Sequence, residues 1–123
     1  MKHVKLVLLL MAFGLLSLTV NAQYKGPGAK LEYSTVQVVT DNASKLDKQD
    51  KHVKLKGFII EQINSDTFWF QDKTGKVRVE IEKKHLPTVP FDEKTEVLII
   101  GEVDYDLLEG CEIEVNSLII EKQ

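Results

Sequence analysis

The chain has one cysteine, Cys111, in 123 residues. A single thiol cannot close an internal disulfide, so the fold must hold by packing. No second cysteine and no nearby histidine accompany it, which excludes the usual zinc and redox spacings and leaves an inert, buried thiol as the expectation. Long apolar runs are equally scarce. The only one, Leu6 to Leu18, is shorter than the ~20 residues of a membrane-spanning helix. Lys2 and Lys5 precede it, and Val20 and Ala22 stand at small-residue positions after it. This is the pattern of a secretory signal peptide over 1–22, cut after Ala22. No cysteine at the cut means no lipid attachment there, so no stable membrane anchor is expected after cleavage. Positive charge is also short. Losing Lys2 and Lys5, and no acid, takes the formal net charge from −3 to −5. An acidic, exported domain is a poor general binder of phosphate backbones.

What remains, 23–123, is long enough for one domain with a modest core. Residues 23–33 contain Gly26-Pro27-Gly28 and read as a flexible linker. Ser34 followed by Gln37 fits a capping box, and Val36, Val39 and Ala43 can share one helical face, so a short helix is expected from Ser34. From His52 the pattern turns to β. Val53 and Leu55 alternate up to Gly57, where a bulge or bend is expected, and Phe58-Ile59-Ile60 follow. Pro87 and Pro90 allow at most a turn of helix between Lys83 and Thr95. Two more strands follow: one from Glu96 with Gly101 inside it, and one from Cys111, with a change of face before Leu118 and Ile120.

The central segment is Asp66 to Ile81, "DTFWFQDKTGKVRVEI". Asp72 to Gly75 reads as a hairpin loop, with Gly75 taking a positive φ. A loop of that length pairs Gln71 with Lys76, Phe70 with Val77, Trp69 with Arg78, Phe68 with Val79 and Thr67 with Glu80. Phe68, Phe70, Val77, Val79 and Ile81 then share the buried side. A slip by one residue would pair Phe70 with Arg78, which the hydrophobic pattern opposes. Five short antiparallel strands with bending glycines suit a closed barrel. The predicted fold is all-β: a five-stranded OB-fold over 34–123, carrying a short N-terminal α-helix.

The signal peptide, "STVQVV", "VKLKGFIIEQINSDTFWFQDKTGKVRVEI", "EVLIIGEVDYD" and "EIEVNSLII" together resemble the YgiW/YdeI family of periplasmic bacterial OB-fold (BOF) stress-tolerance proteins. The likeness covers the whole mature domain. It implies an OB-fold in the periplasm with a part in envelope or oxidative stress tolerance. It supplies no catalytic residues.

The residues themselves offer one candidate binding face. Trp69 and Arg78 point away from the hydrophobic side and stand across from each other. They could make a cation–π contact, or receive a flat ligand by stacking and guanidinium hydrogen bonds. Thr67 and Glu80 flank them. OB-folds commonly take oligonucleotides or oligosaccharides on this strand 2–3 face. The plainer reading has Trp69 covering the barrel wall, under the helix. Glu80 with Glu82, and Glu112 with Glu114, form two carboxylate rows; solvated strand faces account for both, though such rows can also hold hard cations or hydrolyse glycosides. Asp104, Asp106 and Glu109 near the strand 4–5 turn are the weaker cation candidates. His52 and His85 read as surface residues.

No catalytic triad, phosphate-cradling loop or cofactor motif is present, so neither enzymatic activity nor a cofactor is expected. The leading reading is a periplasmic binding or adaptor protein with a small molecule, glycan or envelope protein as partner. The alternatives are a cation-binding stress protein and, disfavoured by the net charge, a single-stranded nucleic-acid binder.

Overall fold

The computed structural model describes residues 31–121. The expected signal peptide, and all of the expected linker before Leu31, lie outside the described residues. Two short helices open the described chain: α1, Val36–Asp41, and α2, Ala43–Lys48. Five strands follow: β1, His52–Gln62; β2, Thr67–Asp72; β3, Gly75–Glu80; β4, Glu96–Asp106; and β5, Gly110–Ile120. They close into a barrel in the order β1-β2-β3-β5-β4. The β3–β5 pairing is parallel and the others are antiparallel. This is the five-stranded OB-fold that the alternation predicts.

The core follows from period-two burial. Val53, Leu55 and Ile59 of β1, Phe70 of β2 and Val97, Ile99 and Val103 of β4 all face inward. The hairpin register is the one read from its pattern: Phe70 pairs with Val77, Phe68 with Val79, Trp69 with Arg78 and Thr67 with Glu80. It closes one pair tighter than a four-residue loop, because Asp72 also pairs with Gly75. Gly75 takes a φ of 158°.

Three local expectations change. First, Gly57 is not the bulge of β1. Inward alternation runs through it to Ile59, and the register shift falls between Ile59 and Glu61, leaving Ile60 as the extra residue. Gly57 serves close packing instead: a Cβ there would run into the Gln71 carbonyl oxygen and the Phe70 ring. Second, Ser34 does not cap the helix. Its N–H donates to the Lys54 carbonyl at 2.8 Å, while the Thr35 hydroxyl accepts from Val38 N–H at 3.2 Å. Third, the helical segment breaks at Asn42 into two pieces, although Val36, Val39 and Ala43 are buried on one side as expected.

In β4 and β5, by contrast, the bulge lies where the sequence puts it. The pairing runs Ile100 with Ser117 and then Gly101 with Val115, so Asn116 is extra and the inward face passes from Ile113 and Val115 to Leu118 and Ile120. The β3–β4 connection holds only a 3-10 turn, Lys83–His85. Leu86 and Phe91 from this connection pack against the core. His85 has its Nδ1 buried with no hydrogen-bond partner.

Side chains fasten α1 to the β2–β3 hairpin. The Asp72 carboxylate accepts from Val36 N–H at 2.9 Å, and the Thr74 hydroxyl accepts from Gln37 N–H at 3.0 Å. At the other end, the Asp47 carboxylate of α2 accepts from Tyr105 N–H of β4 at 2.8 Å.

Candidate functional site

Strand register assembles an outward face from all five strands. In one row Thr67 of β2 pairs with Glu80 of β3, Glu80 with Glu114 of β5, Glu114 with Glu102 of β4, and Glu102 with His52 of β1. In the next row Glu61 of β1 pairs with Trp69, Trp69 with Arg78, Arg78 with Glu112 and Glu112 with Asp104. The four residues singled out from the hairpin, Thr67, Trp69, Arg78 and Glu80, are therefore together on one surface, each partly buried. Glu82 is not with them. Ile81 turns inward after β3, and Glu82 is exposed beside Lys84 at 3.6 Å.

The cation on the indole is not Arg78. Lys76 Nζ sits 4.6 Å from the Trp69 ring centroid. Lys76 is the diagonal neighbour of Trp69 across the hairpin, within reach of a long side chain. Arg78 turns the other way and donates from Nη2 to the Glu109 carbonyl in the β4–β5 turn. Register alone could not separate these two cations, because both lie on the outer side of β3.

The carboxylates next to Arg78 repel one another. Partial burial, followed by the charge of Glu112 and then of Asp66, raises the Glu80 carboxyl above its ordinary range. Burial, then Glu80 and Asp104, does the same to Glu114. Glu112 is also raised, by burial and several acids against the opposing pull of Arg78. His52 Nε2 lies 3.2 Å from Glu102 Oε1. Sequence reasoning saw the β3 and β5 acids as separate rows and missed Glu61, Glu102 and Lys76. Only barrel closure and the Ile60 bulge bring the acids together.

The weaker cation candidates resolve differently. Asp106 uses its carboxylate to close the β4–β5 turn, accepting from Leu108 N–H at 2.7 Å and Glu109 N–H at 3.0 Å. The bonds from Glu109 and Leu108 hold its carboxyl below the ordinary range. Among the described residues no group of three or more His, Cys, Asp or Glu side chains is arranged to hold a metal. Cys111 is partly buried, and that burial pushes its thiol up to about 11, so it is protonated at neutral pH.

A separate cleft of about 450 Å³ opens between Tyr33 to Thr35, β1 and the hairpin turn. Tyr33, at the end of the expected linker, bridges Lys54 in a parallel sense. Its ring carries Lys54 Nζ at 4.5 Å and Lys56 Nζ at 5.2 Å from the centroid.

A closed five-stranded barrel with this strand order is an OB-fold. The chain belongs to the bacterial OB fold (BOF) protein family, whose model matches residues 19–120. It is 38% identical over 115 residues to the calcium-regulated OB-fold protein CarO of Pseudomonas aeruginosa, covering 93% of this chain and 94% of that protein. It is 36% identical over 81 residues to protein YgiW of Escherichia coli, covering 66% of this chain and 62% of that one. The solved structure of E. coli ygiW superposes with a TM-score of 0.65 at 33% identity, covering 80% of this chain and 97% of that chain. No helix among the described residues is long and apolar enough to cross a membrane.

Proposed function

We propose that this chain is a non-enzymatic OB-fold binding or adaptor protein of the periplasm, contributing to envelope or oxidative stress tolerance. Its ligand, a small molecule, a cell-wall glycan or a protein partner, is taken on the outer β2–β3 face. One observation carries the reading: Trp69 is half-buried on that face, flanked by Arg78 on one side and Glu61 on the other, with Lys76 over its ring. A stacking plane ringed by charged donors and acceptors is what a sugar or another flat polar ligand needs. The test is titration of Trp69 fluorescence, the only tryptophan in the chain, with soluble peptidoglycan fragments. A saturable change that Arg78→Ala weakens, together with a calorimetric binding heat that Trp69→Ala abolishes, supports the site. Identical binding by Trp69→Ala and Arg78→Ala variants removes it.

A second reading is a cation-binding protein. Its support is the raised carboxyls of Glu80, Glu112 and Glu114, which a bound cation would relieve, and the calcium-regulated relative. Calorimetry with Ca²⁺ decides it: no heat and no shift in melting temperature ends this reading. Asp104, Asp106 and Glu109 are its weaker ligands, because Asp106 is already committed to its turn.

A further inference from the structure

The connection from β3 to β4 leaves a gap where it meets the barrel. Between Ile81 and Glu96 its only regular piece is the 3-10 turn Lys83–His85, and Pro87 and Pro90 follow it. Two of its side chains, Leu86 and Phe91, pack against the core, each partly buried. With Ile59 of β1 and Phe68 of β2, both core residues, they line a cavity of about 340 Å³. Ile60, the extra residue of the β1 bulge, lines it as well.

The charge around this cavity has one sign. Every ionisable residue in its lining is an acid: Glu61, Asp92 and Glu93. All three are exposed, so they stand at its rim. None of them belongs to an ion pair among the described residues. Lys94 follows Glu93 in sequence but is not part of the lining. Asp92 is committed to its turn, accepting from Lys94 N–H at 2.9 Å and from the Thr95 hydroxyl at 3.2 Å. That leaves Glu61 and Glu93 as acceptors for something that enters the cavity.

A metal ion does not suit it. Among the described residues no three His, Cys, Asp or Glu side chains are arranged to hold one, and a hard cation seeks several oxygen ligands rather than an apolar wall. The volume falls at the low end of the ~300–1,000 Å³ of small-molecule sites. We infer that the cavity binds a small amphiphilic amine: an ammonium head on an apolar body about the size of an aromatic ring with a short chain. The body lies between the connection and the barrel, against Leu86, Phe91, Ile59 and Phe68. The two phenyl rings favour a flat body, which they can meet edge-on or offset. The head stays at the rim, beside Glu61 and Glu93. This site is not the Trp69 plane. Glu61 pairs with Trp69, but Leu86, Phe91 and Glu93 come from a different segment. The inference goes beyond the reading of Trp69 and does not depend on it.

The test is calorimetry with amide NMR on the purified protein, using phenethylammonium chloride as the probe. Phenethyl alcohol and phenylpropionate keep the body and change the head. Phenethylammonium should saturate, with amide shifts centred on Ile60, Leu86 and Phe91. The alcohol should bind about two- to fivefold more weakly, the worth of an exposed ion pair, and phenylpropionate more weakly still. A Glu61→Gln/Glu93→Gln variant with wild-type circular dichroism should bind the ammonium and the alcohol alike. No saturation by the ammonium, equal binding of phenylpropionate, or a preference for the ammonium that survives the double variant overturns the inference. Shifts centred on Trp69 and Arg78 overturn it too, while leaving the reading of that plane standing.

Discussion

Glu80 of β3 and Glu114 of β5 pair directly across the parallel seam that closes the barrel. Partial burial and then the charge of Glu80 raise the Glu114 carboxyl above its ordinary range, and partial burial and then the charge of Glu112 raise that of Glu80. Like charges directly opposite on a sheet are destabilising, by roughly the 0.2–1 kcal/mol that opposite charges gain. Solvent screening puts this pair toward the low end. The folded state therefore binds these protons more readily than the unfolded chain. Stability falls as pH rises from the unfolded carboxyl range through the raised folded one, and is recovered on acidification through the same window. Glu80→Gln and Glu114→Gln should each raise the melting temperature at pH 7 by ~1–4 °C. The gain should vanish by about pH 4, where carboxyls protonate in either state. Thermal melts across that range check it; a loss at pH 7 would mean the pair is held by something other than repulsion.

Asp72 behaves in the opposite sense. Burial pushes its carboxyl up, but bonds from the Thr74 hydroxyl and from the N–H groups of Val36, Thr74 and Gly75 outweigh it and hold the carboxyl low. Its contribution is present above the unfolded carboxyl range and is lost as pH falls through the lowered folded value. Asp72→Ala should cost about 1–3 kcal/mol, because it removes an acceptor from the start of α1. The loss should be local first: hydrogen exchange should quicken at Val36 and Gln37 before it does in the β4 core. Uniform quickening would show that the hairpin-to-helix bonds are not what holds α1.

The two cations near the indole can be told apart. Lys76→Met should shift Trp69 emission and cost about 0.5–1 kcal/mol or less, the range of an exposed cation–π contact. Arg78→Met should leave the emission close to wild type while loosening the β4–β5 turn, because its guanidinium bonds the Glu109 carbonyl. Steady-state fluorescence with exchange at Leu108 and Glu109 checks both halves. Equal emission shifts from the two variants would return Arg78 to the ring.

Much of the hairpin was legible in the sequence because two independent signals agree. The turn residues set the loop, and Phe68, Phe70, Val77 and Val79 can be buried together in one register only. The tail of β5 was legible for a similar reason, since Leu118 and Ile120 fall out of phase with Ile113 and Val115 and need an extra residue between them. The binding face was legible only in part. Its β2–β3 half follows from local register, but its acidic half forms when β3 meets β5 in parallel, a contact between segments more than thirty residues apart. Glu61 needed the Ile60 bulge, and no glycine or proline marks that bulge.

The glycines give the last prediction. A strand glycine reads as a bend, yet Gly57 and Gly101 are both buried where another backbone comes close. At Gly57 a Cβ would strike the Gln71 carbonyl oxygen and the Phe70 ring; at Gly101 it would strike the Glu114 carbonyl oxygen. Backbone cannot swing aside as a side-chain end can. Gly57→Ala and Gly101→Ala should therefore each destabilise by at least the ~1–3 kcal/mol of an overpacked core. They should differ in cause from cavity mutants such as Phe70→Ala, which should cost about 3–5 kcal/mol. The combination distinguishes them: Phe70→Leu should partly rescue Gly57→Ala by clearing the ring, and should do nothing for Gly101→Ala. Denaturant melts of the singles and doubles measure the coupling. Full additivity for Gly57 with Phe70 would place the clash at the Gln71 carbonyl alone.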